Sequence, residues 1–207
     1  MKTYGCIDNC LSEDIYYQFI EDANLTPFMD DKEHYYKTNP MYPDLNWAVG
    51  FDSAYNSEVN VVYNGVTTTN NYIDITPQYP YRRKYVNLII HIVNNHFNMF
   101  KCRDILRMRI NMSLNIPTSV YLHPHVDEYV NKHLSMTLFL GKSDGDHIVF
   151  NETDPYIYRD KKQLTEAARY SHIGNRLVWN KGHYHTSYNP VDSIWRLAFN
   201  FVVKIEE

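Results

Sequence analysis

Three runs in the second half of the chain alternate between apolar and polar positions. Met108, Ile110, Met112 and Leu114 alternate with Arg107, Arg109, Asn111 and Ser113. Leu134, Met136, Leu138 and Leu140 alternate with Ser135, Thr137 and Phe139. Trp195, Leu197, Phe199, Phe201 and Val203 alternate with Arg196, Ala198, Asn200 and Val202. A period of two belongs to extended chain, whose successive side chains leave on opposite faces. Each run therefore predicts a strand with one strongly apolar face and one mixed, polar-bearing face.

Upstream the period lengthens. Tyr85, Leu88, Ile89, Ile92, Val93, His96 and Phe97 recur at helical spacing. Ser12-Glu13-Asp14 places a capping residue and acids before Ile15, Tyr16, Phe19 and Ile20, so a short helix starts there. Residues 59–69 are rich in β-branched side chains on both sides of Asn64-Gly65, the dipeptide suited to a tight type I′ hairpin. Residues 24–46, with Pro27, Pro40 and Pro43, read as irregular, and Pro77 and Pro80 punctuate the approach to the second helix. The pattern predicts helices over a β-sandwich of jelly-roll type, α+β but mainly β. The apolar strand faces would lie under the helices, and the mixed faces would line a pocket.

A length of 207 residues suits a single domain, 1–207, and 44% hydrophobic content is enough for a packed core. The 19 tyrosines fit a strand-rich fold. A formal net charge of −4 argues against nucleic acid or an acidic membrane surface as the partner. Cys6, Cys10 and Cys102 are too few and too odd in number for a disulfide framework, so reduced thiols and a cytoplasmic setting are expected. The first residues hold no apolar run fit for a signal peptide, and no stretch is long and apolar enough to span a bilayer.

The candidate chemistry lies between and after the alternating runs. In Tyr121-Leu-His-Pro-His-Val-Asp, a histidine and a carboxylate two residues apart, His125 and Asp127, point the same way on extended chain and can hold one metal ion. His123 competes for the role, but His125 fits the strand spacing better. A distal histidine would complete a two-histidine, one-carboxylate face with open positions, the set used by non-haem Fe(II) oxygenases. His183 and His185 share strand parity, and the residues alone leave both open. Arg196 sits in an otherwise buried-looking strand, where an unpaired charge costs several kcal/mol, so an anionic partner is expected. A dicarboxylate co-substrate such as 2-oxoglutarate would serve. His91, His96, His133, His147 and His172 read as ordinary core or surface histidines.

From residue 105 to residue 204 the chain resembles the 2-oxoglutarate/Fe(II)-dependent oxygenases of the prolyl-4-hydroxylase-like type, in the short form of bacteriophages and marine bacteria. The resemblance is carried by Leu106-Arg-Met-Arg-Ile-Asn, His125-Val-Asp127, Ser135-Met-Thr-Leu-Phe-Leu-Gly and Gly145-Asp-His-Ile-Val-Phe. It continues through Asn175-Arg-Leu-Val-Trp, His185 and Arg196-Leu-Ala-Phe-Asn-Phe. It implies a cupin-like double-stranded β-helix over residues 105–207, with residues 1–104 as a helical and hairpin support. It further implies that His125, Asp127 and His185 bind Fe(II) and that Arg196 binds the distal carboxylate of 2-oxoglutarate, with O2 as the oxidant. His185 is favoured over His183 because it precedes Arg196 by the spacing of the phage type. Relatives often carry a tyrosine where Phe139 stands, so a hydroxyl of Thr137, Ser135 or Tyr121 would replace it. Their Gly-Gly-Thr-x-Phe pattern is here Gly145-Asp-His-Ile-Val-Phe. The implied activity is hydroxylation of a C–H bond in a small-molecule, amino-acid or peptidyl substrate, in a bacterial or phage-infected cell. The rival expectations are a catalytically silent binding module on the same scaffold and a cupin-type metal enzyme that uses no 2-oxoglutarate.

Overall fold

The computed structural model describes residues 2–24, 29–30, 46–52, 58–63, 66–71, 82–97, 101–114, 124–127, 133–153, 164–188 and 190–206. In chain order the elements are β1 (Tyr4–Ile7), α1 (Glu13–Asn24), β2 (Met29–Asp30), β3 (Asn46–Asp52), β4 (Glu58–Tyr63), β5 (Val66–Asn71) and α2 (Arg82–His96). They continue with β6 (Lys101–Leu114), β7 (His133–Leu140), β8 (His147–Phe150), β9 (Glu166–Tyr170), β10 (Leu177–Asn180), β11 (His185–Ser187) and β12 (Trp195–Glu206).

The three alternating runs become β6, β7 and β12, which are neighbours in one antiparallel sheet of order β1-β10-β7-β12-β6-β3-β2. Their periodicity divides that sheet into two faces. Leu134, Met136, Leu138 and Leu140 of β7 join Leu197, Phe199, Phe201, Val203 and Ile205 of β12 in the main core. Tyr85, Ile89, Ile92 and Val93 of α2 and Tyr16 and Phe19 of α1 cover that face. Phe19 meets Phe199 edge-on at 5.0 Å between ring centroids, and Tyr85 lies 5.6 Å from Phe199. Phe199 is fully buried at this junction; truncating such a ring removes about 3–5 kcal/mol of stability.

The opposite face carries Ser135, Thr137 and Phe139 from β7, and Arg196, Ala198, Asn200 and Val202 from β12. A second sheet, β11-β8-β9, packs over it through Phe139, Val149 and Val178. Two sheets with helices outside one of them form a double-stranded β-helix of jelly-roll type. No helix among the described residues is long and apolar enough to cross a membrane.

Local chemistry explains how the ends are tied. The backbone N–H of Tyr16 donates to the Ser12 carbonyl at 2.9 Å, which starts α1 after the expected cap. Asn175 adopts φ +62, a left-handed conformation that asparagine tolerates better than most residues. Its side chain accepts from the Leu11 N–H at 2.9 Å and donates to the Leu11 carbonyl at 2.8 Å, joining the start of α1 to the β9–β10 turn.

The first half adds more than helices. It also supplies β1, β3 and β2 to the large sheet, where β3 pairs with β6 and β1 with β10. These strands are two to seven residues long, too short for periodicity to announce. The hairpin forms as expected, with Tyr63 opposite Val66, and its Asn64-Gly65 turn lies outside the described residues. So does most of segment 24–46. Two stripe positions face solvent instead of the core, Ile15 at 37% and Trp195 at 54% exposure. Both stand at element ends, where the covering layer runs out. Cys6 is exposed and Cys10 buried, both as free thiols.

Candidate metal centre

The segment bearing His125 and Asp127 enters the fold as a single antiparallel bridge. The N–H of His125 donates to the His185 carbonyl at 3.1 Å, and the N–H of His185 donates back at 2.9 Å. Val126 turns outward into a cluster with Ile148, Phe150 and Tyr184. Alternation then sends His125 and Asp127 inward, to the side where His185 emerges. The ligand atoms of His125, Asp127 and His185 all lie within 4.8 Å of one another. His125 Nε2 is 3.4 Å from one Asp127 oxygen and His185 Nε2 is 3.3 Å from the other. Ligands about 2.1 Å from one ion at right angles sit about 3 Å apart, so the three groups fit a shared ion.

The surroundings fix these donors. His185 Nδ1 donates to the His183 carbonyl at 3.2 Å, leaving the Nε2 lone pair free on the Asp127 side. Asp127 is nearly enclosed, with 5% of its side chain exposed. Arg107 from β6 and Ser135 from β7 both donate to its carboxylate. Burial alone would raise the Asp127 carboxyl. The Arg107 guanidinium and the imidazoles of His185 and His125 outweigh this and hold it well below the usual carboxylate range. Asp127 is therefore an anion ready to ligate.

His183, the rival for the distal position, is turned away. Its Nδ1 donates to the Phe150 carbonyl at 2.8 Å, and its Nε2 accepts from Thr3 Oγ1 at 2.8 Å. With both ring nitrogens committed, it holds the N-terminal segment against β8.

Arg196 lies across the pocket, on the face that alternation assigned to it. It is 3% exposed, and its guanidinium stands 5.7 Å from the centroid of the Phe139 ring. Among the described residues nothing forms an ion pair or hydrogen bond with it, and its Nε is fully buried without a partner. Burial pushes its pKa down to about 10, against a weaker opposing pull from Asp146. It is still a cation at neutral pH, desolvated and unmatched, and a bound carboxylate would complete it. Gly145 packs against this side chain: a Cβ there would sit 2.9 Å from Arg196 Cδ and 2.5 Å from the Tyr188 carbonyl. Only glycine fits.

The hydroxyl candidates separate. Ser135 is occupied at Asp127. Thr137 is buried on the pocket face, opposite Asn200 in the β7–β12 register. Tyr121 lies outside the described residues, as does His123. Asn200 Oδ1 and Asn111 Oδ1, on the same face, are buried without hydrogen-bond partners.

Sequence reasoning passed over His147. It is 3% exposed, and its ring lies 5.5 Å from that of His185 at 28° and 6.1 Å from that of Phe139. Burial and then the nearby charges of His185 and Arg196 hold its pKa well below the ordinary value, so it is neutral. His172 stacks on Phe139 at 4.3 Å, and burial together with Arg196 keeps it neutral as well. The available signal was the parity of β8, on which His147 shares a face with Val149. A four-residue strand gives that parity little weight.

No family model matches the sequence, and no curated protein matches it either. Solved structures do. An oxidoreductase of the 2OG-Fe(II) oxygenase family from Burkholderia pseudomallei aligns over 98% of this chain and 84% of its own, with a TM-score of 0.60 at 10% identity. HygX from Streptomyces hygroscopicus, solved with nickel and 2-oxoglutarate bound, aligns over 98% and 82%, with a TM-score of 0.55 at 8% identity. A Trichoplax adhaerens prolyl hydroxylase, in complex with a peptide of a hypoxia inducible factor, aligns over 98% and 83%, with a TM-score of 0.55 at 10% identity. Across nearly its whole length, this chain has the fold of 2-oxoglutarate/Fe(II) oxygenases, prolyl hydroxylases among them.

Proposed function

We propose that this chain is an Fe(II)- and 2-oxoglutarate-dependent dioxygenase of the prolyl-4-hydroxylase-like, phage type. It would hydroxylate a C–H bond of a small-molecule, amino-acid or peptidyl substrate in the cytoplasm, releasing succinate and carbon dioxide. The observation that carries the reading is the pairing of two features on one pocket. A two-histidine, one-carboxylate cluster stands at one end, and a buried, unmatched guanidinium stands at the other.

His125, Asp127 and His185 would hold the iron, which when bound supplies the activation of O2 that no side chain can perform. Arg107 and Ser135 fix the Asp127 carboxylate, and the His183 carbonyl fixes the His185 tautomer. Arg196 would take the distal carboxylate of 2-oxoglutarate, setting the depth and direction of the co-substrate. The apolar walls of Phe139, Val149 and Val178 exclude water from the space between.

The test is succinate release from 2-oxoglutarate with Fe(II) and air, across amino-acid, peptide and small-metabolite substrates. Asp127→Ala and His185→Ala should each abolish it, while His183→Ala should keep it wherever that variant folds. Turnover that persists in Asp127→Ala would refute the assignment. Binding of metal and 2-oxoglutarate without succinate under any substrate would mark a silent module. Substrate oxidation without 2-oxoglutarate would mark a cupin-type enzyme.

A further inference from the structure

His147 is the buried polar group that the metal centre leaves unexplained. It is held by β8, whose register sets it opposite Ser187 of β11 and Tyr170 of β9. Its Nδ1 lies 3.0 Å from Ser187 Oγ. No described residue bonds to its other ring nitrogen, Nε2. Buried polar atoms are rarely left without partners, because the lost hydrogen bond costs about 1–3 kcal/mol. A bound ligand is the natural partner.

The position of the ring says which ligand. Its neighbours on the pocket side are His185 at 5.5 Å and Phe139 at 6.1 Å, and Phe139 in turn lies under Arg196 at 5.7 Å. His147 thus stands between the metal cluster and the guanidinium. Phe139, which occupies the position where a hydroxyl would reach a carboxylate at Arg196, has no donor to offer. On the strength of the 2-oxoglutarate reading above, we infer that His147 is a co-substrate-binding residue, its Nε2–H donating to the carboxylate that Arg196 holds. Ser187 selects the required tautomer. Its hydroxyl can rotate to donate to Nδ1, which places the ring proton on Nε2. A histidine on β8 and a serine on β11 together do what a single phenol on β7 would do.

The experiment is calorimetric titration of 2-oxoglutarate into the Mn(II)-loaded protein without oxygen, for wild type, His147→Phe, His147→Gln and Ser187→Ala. Phenylalanine keeps the stacked ring and removes the donor, whereas glutamine keeps an N–H near the Nε2 position. A charge-assisted hydrogen bond implies that His147→Phe weakens 2-oxoglutarate about 10-fold to 100-fold. Mn(II) affinity should stay within about twofold, since the bond contacts no metal ligand. Glutamine should recover part of the loss, and Ser187→Ala should give a smaller loss. Wild-type 2-oxoglutarate affinity in His147→Phe would overturn this inference and leave the oxygenase reading standing. Loss of Mn(II) binding in both His147 variants would make the residue a support for His185, which also overturns it. Failure of the Mn(II)-loaded wild type to bind 2-oxoglutarate would overturn both.

Discussion

Arg196 shows how far one residue can be read. A lone arginine in a run of Trp, Leu, Ala, Phe and Val demands an anion, and the structure leaves that demand unmet within the chain. Desolvation of an unmatched charge is a cost to the folded state. Arg196→Met should therefore leave the melting temperature of the ligand-free protein unchanged or higher, while weakening 2-oxoglutarate by at least about tenfold. Scanning calorimetry and ligand titration check the two halves separately. A large fall in melting temperature would instead mean that the guanidinium has a structural partner. The ligand cluster was legible because H-x-D spacing on extended chain has one geometric outcome. The choice between His183 and His185 was not, since both have the same parity. Only the Phe150 carbonyl and Thr3, distant in sequence, show that His183 is committed elsewhere. His147 was missed for a related reason: its meaning comes from Ser187 and Phe139, which the fold brings to it.

At the scale of elements, the long strands could be read and the short ones could not. Runs of seven or more alternating residues specify β6, β7 and β12, and burial on one face locks their register. β1 and β2, with four and two residues, exist because the sheet edge offers them partners. The turns that frame Arg196 depend on one carboxylate in the same way. Asp144, between β7 and β8, accepts hydrogen bonds from the backbone N–H groups of Val191, Asp192 and Ser193 at 2.8, 2.9 and 2.9 Å. Partial burial would raise its pKa, but these amides dominate and hold it well below the ordinary 3.8. A carboxyl depressed in the folded state adds stability that is present above its unfolded value and lost as pH falls through the folded one. The stability gap between wild type and Asp144→Asn should thus be constant from about pH 5 to 8 and close progressively below about pH 4. Urea unfolding at a series of pH values measures it. A gap that widens on acidification would contradict the clamp.

The whole molecule makes the site by opposing two sheets. The large sheet contributes Arg196, Ser135 and Phe139; the small one contributes His185 and His147; the bridged segment brings His125 and Asp127. None of these surfaces is a site alone, which is why the core and the pocket must form together. The central claim is that three side chains converge on one ion. Titration of Mn(II) followed by electron paramagnetic resonance, in which free Mn(II) is seen and bound Mn(II) is not, tests this most directly. Wild type and folded His183→Ala should take up one ion per chain, and His125→Ala, Asp127→Ala and His185→Ala should each weaken it by at least about tenfold. Full uptake by His185→Ala, or loss in His183→Ala with its fold intact, would contradict the account.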